Sequence, residues 1–224
     1  MKKGLFLCGV QCTADIWDEI RDALSGYDLD FVTYPHEVTQ SARSVSDITK
    51  WVYDIYGNKR FDFLVGHSMG GIAALELASR YKISCDAVVF IESNLRPAGN
   101  FYRNLMMPDH MQKFGDRIKS MLQSEAPFYR DDLKHSLQEG FDFTPFLYGF
   151  TGAIYGVYGD RGVQNYSGRI TDLCLSKADE EKVSFRFVAN SCHMPMLENP
   201  TGLADVIRRC IHEALAEKPD RTVE

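Results

Sequence analysis

Ser68 stands in the run Gly66-His67-Ser68-Met69-Gly70, with a glycine two residues before it and another two residues after it. An apolar stretch, Phe61–Gly66, ends just ahead of it, and a small-residue, helix-forming stretch begins at Met69. Glycines at those positions allow a sharp strand-to-helix turn without side-chain clashes. Such a turn pushes the hydroxyl out at the carboxyl edge of a sheet. It also sets the hydroxyl at a helix amino terminus, where free N–H groups favour developing negative charge. This is chemistry for a nucleophile, and a nucleophilic serine needs a base. The alternative is a tight structural turn that merely contains serine.

His193 follows a late apolar run, Val183–Ala189, so it can reach a serine at the same sheet edge. Imidazole suits the task because its pKa lies near working pH. A buried, satisfied histidine is the competing reading. His67 flanks the nucleophile and is expected to point elsewhere. His36 follows the second strand, His110 and His135 lie in a long insertion, and His212 is on the terminal helix. Two carboxylates compete to orient the base. Glu92 closes the run Val88-Val89-Phe90-Ile91-Glu92, and Asp160 lies in Tyr158-Gly159-Asp160-Arg161-Gly162. A carboxylate at the end of a buried strand is costly without a partner, and His193 would be that partner. The bland alternatives are a Glu92–Arg96 salt bridge and a turn role for Asp160 before Arg161-Gly162.

These segments resemble the α/β-hydrolase family over almost the whole chain. Val188-Ala189-Asn190-Ser191-Cys192-His193 through Pro200 looks like the family's last strand, histidine loop and final helix. The family usually carries its acid after the strand before the histidine strand, as glycine, two residues, then aspartate; here that position holds Gly162. A subset that includes some haloalkane dehalogenases places the acid at the end of the preceding strand, and Glu92 matches that subset. The resemblance therefore favours Glu92 over Asp160 and leaves both open. Cys8-Gly9-Val10, with Trp17 eight residues beyond Gly9, resembles the first strand and oxyanion loop, with Cys8 where the family commonly has His. By resemblance the backbone N–H groups of Val10 and Met69 would hold the oxyanion.

The elements that must position these groups follow an alternating rhythm. Strands are expected at Gly4–Gly9, Leu29–Thr33, Phe61–Gly66, Ala87–Glu92, Gly152–Tyr158 and Val183–Ala189. Helices are expected near Ala14–Leu24, Ser44–Tyr56, Met69–Tyr81, after Asn165, and at Gly202–Ala216. That alternation predicts an α/β fold: a mostly parallel sheet of about six strands with helices on both faces. Residues 93–151 break the rhythm and are rich in Phe, Met, Leu and Tyr. Long connections in compact domains are usually functional, so a helical cap over the strand ends is expected rather than an inert insertion. The organisation is then a core of residues 1–92 and 152–218 with a cap at 93–151, and a polar tail expected to fray after Lys218.

Composition bounds the rest. The chain has 224 residues, 45% of them apolar, enough for one domain with a real core, and its formal net charge of −6 with scattered Lys and Arg argues against nucleic-acid binding. The amino-terminal apolar run is too short for a signal peptide or a membrane span, so a cytoplasmic protein is expected. Six cysteines without a C-x-x-C pair read as free thiols rather than a zinc site. The expected activity is acyl transfer to water on a small ester, thioester or lactone with an apolar group, needing no metal or organic cofactor. A lyase or carbon–carbon hydrolase using the same triad, and a non-catalytic small-molecule receptor, are the alternatives. Oligomeric state is not written in the sequence.

Overall fold

The computed structural model describes residues 1–138 and 140–216; the tail after Lys218, and the last two residues assigned to the core, lie outside the described residues. Six strands form one sheet: β1 (Lys3–Leu7), β2 (Asp28–Phe31), β3 (Phe63–His67), β4 (Ala87–Ile91), β5 (Ala153–Gly159) and β6 (Ser184–Val188). All neighbouring pairs are parallel, and the order is β2-β1-β3-β4-β5-β6. The helices are α1 (Asp18–Arg21), α2 (His36–Ser41), α3 (Val45–Tyr56), α4 (Met69–Ser79), α5 (Pro108–Glu125), α6 (Asp131–His135), α7 (Lys177–Glu180), α8 (Pro195–Glu198) and α9 (Pro200–Ala216).

Each expected strand is present within two residues of its expected bounds. β3 and β4 are buried along their whole length, as the centre of a parallel sheet covered on both faces must be. Helices α3 and α4 pack together on one face, with α4 against β1, β3 and β4. Helix α9 covers β4, β5 and β6 from the other face and meets α1. Every residue of α4 is buried, which is why it is built from Gly70, Gly71, Ala73, Ala74 and aliphatics instead of an amphipathic stripe. The expected first helix is broken into a 3-10 turn, Ala14–Trp17, and the single turn α1. Trp17 is fully buried and packs edge-on against Phe6. Two short helices, α2 and α8, carry too few residues to show a periodic pattern and are not legible as helices in the sequence.

The 93–151 segment contains α5, α6 and three 3-10 turns. Ile118 of α5 and Leu133 of α6 are buried, so part of its apolar surface packs against the rest of the domain. Among the described residues no helix is long and apolar enough to cross a membrane.

The chain leaves β1 toward β2 on one side and returns to pair β3 on the other, so the strand order reverses at β1. Open α/β sheets bind ligands at the carboxyl ends beside such a reversal. The loops after β1 and β3 meet there.

Candidate active site

The elbow after β3 is set by steric exclusion. A Cβ on Gly66 would lie 2.1 Å from the Gly70 carbonyl oxygen, and one on Gly70 would lie 2.4 Å from the Leu7 carbonyl oxygen of β1. Only glycine fits either place. Ser68 between them has φ 53° and ψ −122°, a conformation that L-residues avoid. Its amide donates to the Ile91 carbonyl at 2.9 Å, which fixes the turn against β4.

Strain of this kind is concentrated at one edge. Gln11, Ser68, Glu92, Arg161 and Asn190 all have positive φ, and they follow β1, β3, β4, β5 and β6 in turn. Five strand ends thus bend sharply at one rim of the sheet, and three of these residues, Gln11, Ser68 and Glu92, line a cavity there.

Two cavities open at that rim. The larger, about 310 Å³, is lined by Val10, Ser68, Met69, Glu92, Asn94 and His193 together with Lys134, Leu137, Gln138 and Phe141 from the 93–151 segment. The smaller, about 150 Å³, is lined by Cys12, Leu105, Ile118, Met121, Leu122 and Met194 beside Ser68 and His193. Ser68 and His193, 125 positions apart in the chain, are walls of both. Val10 and Met69 border Ser68 in the larger cavity, and Met69 opens α4, so its N–H lacks an intrahelical partner. Gly9 brings the Val10 loop against the elbow: a Cβ there would stand 3.0 Å from that of Ser68.

The carboxylate facing the imidazole belongs to Glu92, whose Oε2 lies 3.7 Å from His193 Nδ1. The sequence offers Arg96 as an alternative partner for Glu92; instead Arg96 binds Asp142, and Glu92 is gripped by Arg161. Arg161 Nη1 donates to Oε1 and Nη2 donates to Oε2, both at 2.6 Å, and the Gly159 amide also donates to Oε1 at 2.6 Å. Burial alone would raise the Glu92 carboxyl, but the Arg161 fork and His193 bring it below the usual carboxylate range. Asp160 is placed differently. Its Oδ1 accepts the amides of Gly162 at 2.8 Å and Asn190 at 2.7 Å, so it ties the loop after β5 to the loop after β6.

The histidine loop is held by two residues whose support the sequence does not announce. His67 is expected to face away, yet its ring lies 4.8 Å from that of His193. Its Nε2 is 2.8 Å from the His193 carbonyl oxygen and must therefore carry the donated proton. Burial, then the neighbouring His193, push the His67 pKa well below 6.5, so the ring is neutral and its Nδ1 is left without a partner. Glu198, buried in α8, accepts the Cys192 and Met194 amides on Oε2 at 2.7 and 3.3 Å. Its Oε1 accepts the Met107 amide at 2.7 Å and faces His110 Nδ1 at 3.2 Å. The His193 amide itself donates to the Leu105 carbonyl at 3.1 Å. Main-chain groups on both sides of the imidazole are thus anchored to β3, α8 and the 93–151 segment. The available signal was a carboxylate five residues beyond His193 on an otherwise apolar turn.

All six cysteines are free. Burial pushes the Cys192 thiol up to about 12, so it is not a competing nucleophile. Among the described residues no group of three His, Cys, Asp or Glu side chains is arranged to hold a metal ion.

The sequence matches the family model of the alpha/beta hydrolase fold over residues 22–141, more than half of the chain. A comparison with curated proteins finds no match. Among solved structures, the chain is similar to a thermophilic esterase from Thermogutta terrifontis, with 15% identity, TM-score 0.68, and 96% of this chain and 90% of that chain covered. It is similar to the enol-lactonase from Burkholderia xenovorans LB400, with 12% identity, TM-score 0.69, and 94% and 91% covered. It is also similar to the thioesterase domain from the curacin biosynthetic pathway, with 16% identity, TM-score 0.66, and 93% and 91% covered. At these identities the likeness is one of fold. With its parallel six-stranded sheet and the matched family model, the chain belongs to the alpha/beta hydrolase family.

Proposed function

We propose that this protein is a serine hydrolase that cleaves a small carboxylic ester, thioester or lactone through an acyl-enzyme on Ser68. The observation that carries this reading is the sharing of both cavities by Ser68 and His193 while Glu92 stands behind the imidazole. Three dissimilar relatives in sequence that share the fold are named an esterase, an enol-lactonase and a thioesterase, which supports an acyl substrate.

His193 takes the Ser68 proton as Oγ attacks the carbonyl carbon, and the carbonyl electron pair moves onto oxygen. The amides of Val10 and Met69 receive that oxyanion; such donors contribute roughly 3 kcal/mol each in the transition state. The imidazolium returns its proton to the leaving oxygen or sulfur. Water, deprotonated by His193, then releases the acid and restores Ser68. Glu92 serves as the orienting acid, because a carboxylate near Nδ1 stabilises the imidazolium. Asp160 serves the loops instead, its Oδ1 being engaged by two amides.

The 93–151 segment acts as a cap, since it supplies the outer walls of both cavities. The smaller cavity, lined by Leu105, Ile118, Met121 and Leu122, takes a short apolar group of the substrate. A fluorophosphonate probe tests the proposal. Wild-type protein should be labelled and Ser68→Ala should not; folded wild type that resists labelling would refute the nucleophile.

A further inference from the structure

We propose that Arg161 is a positioning residue for the Glu92–His193 pair: its guanidinium fork fixes the carboxylate and shares its charge, which sets how strongly the imidazole holds a proton. This rests on the serine-hydrolase reading above and deepens it. The loop after β5, where the family ordinarily offers its acid, here offers the acid's counter-cation.

The geometry is that of a built site. Both partners are nearly fully buried. Four hydrogen bonds hold the guanidinium: Nη1 and Nη2 donate to Glu92, Nη1 also donates to the Gly159 carbonyl at 2.7 Å, and Nε donates to the Phe101 carbonyl at 3.0 Å. The rings of Phe101 and Tyr102 lie 5.4 and 4.8 Å from the guanidinium carbon. Glu92 and Arg161 both have positive φ, 49° and 54°, so the backbone is bent at each end to make the pair. A buried pair kept for stability alone would gain little over apolar residues of the same volume. This one instead places Oε2, an oxygen already bound by Nη2, at 3.7 Å from His193 Nδ1. The carboxylate cannot rotate toward the imidazole without breaking the fork, and its charge is divided between two cations whenever His193 is protonated.

The other groups facing His193 do not mask the effect. His67 from β3 is neutral, the buried Cys192 thiol keeps its proton, and Glu198 of α8 lies under the loop on the amides of Cys192 and Met194. Lys134 of α6 lines the same cavity and is paired with Asp131. Arg161 itself lowers the Cys192 thiol, so removing it pushes that thiol further up and leaves it protonated.

Arg161→Met exposes His193 to the undivided carboxylate and favours the imidazolium. The acid limb of the kcat/KM profile should move up by about one pH unit. An imidazole NMR titration of His193 should show the same upward shift, and it reads the proposal without requiring turnover. Arg161→Lys keeps the charge but loses the fork, so the limb should stay in place while kcat falls about tenfold with KM little changed. Should Arg161→Met fail to fold, Arg161→Lys carries the test. Folded variants with wild-type pH limb, His193 titration and kcat would overturn the proposal. Failure of the wild type to react with a fluorophosphonate would instead remove the hydrolase reading and leave the NMR test of Arg161 standing.

Discussion

Replacing Glu92 with Gln removes one negative charge whose nearer oxygen stands 3.7 Å from His193 Nδ1. With an effective dielectric of about 20, a full charge at that distance stabilises the imidazolium by about 4.5 kcal/mol. Arg161 offsets part of that charge, and an offset of about half leaves about 2.2 kcal/mol on the same scale. The expected fall in kcat is therefore about 40-fold to about 2,000-fold. The variant also leaves the Arg161 guanidinium buried without its counter-charge, which costs roughly 3–5 kcal/mol of stability. Turnover must thus be measured on a chromogenic short-chain ester well below the variant's melting temperature, with folding checked by circular dichroism. Asp160→Asn is the control. The asparagine Oδ1 can still accept from Gly162 and Asn190, so kcat should stay within about threefold and stability within about 1 kcal/mol. A folded Glu92→Gln enzyme with near wild-type kcat, or an Asp160→Asn enzyme that falls as far, would refute the assignment of the acid.

Other consequences follow from the same geometry. Ser68→Gly should abolish turnover yet be more stable than Ser68→Ala by about 1–2 kcal/mol, because glycine relieves the positive φ at 68 and alanine does not; equal melting temperatures would count against stored strain in the elbow. Leu122→Phe narrows the smaller cavity, so kcat/KM for a hexanoyl ester should drop at least about tenfold while that for an acetyl ester changes little, by the few kcal/mol that overpacking costs; equal losses on both would place the apolar group elsewhere. His67 has its pKa depressed in the folded state, so the unfolded chain binds more protons below about 6.5. Its contribution is complete above that pH and is lost as pH falls through the window beneath it. Melting curves of wild type and His67→Gln between pH 7.5 and 5.5 should therefore show a smaller acid loss in the variant; parallel losses would mean that His67 is not held neutral.

The sequence by itself determined the elements whose causes are local. The central strands β3 and β4 are short, apolar and buried along their whole length, and the strand–helix spacing carries the other four, including the half-buried edge strands β2 and β6. The elbow is legible because Gly66 and Gly70 are required by contacts that only glycine tolerates. The placement of His193 beside Ser68 is legible because a loop after the last parallel strand leaves the sheet at the same edge as the elbow after β3. What the sequence left open depends on which groups approach across the sheet. Glu92 and Asp160 are both carboxylates just past neighbouring strands, and their own segments favour Glu92 by resemblance without excluding Asp160. The fold places them differently: Gly162 and Asn190 amides occupy Asp160, while the Glu92 side chain lies between Arg161 and His193, and the proposed role of Glu92 rests on that difference. The supporting roles of His67 and Glu198 were hidden for the same reason. Their partners are the backbone of His193 and its neighbours, and backbone amides carry no residue identity for a sequence to display. Strand and turn are decided by short-range sterics and burial, whereas the approach of Glu92 to Arg161 and His193 depends on distances between residues up to about a hundred positions apart, which exist only once the sheet has formed.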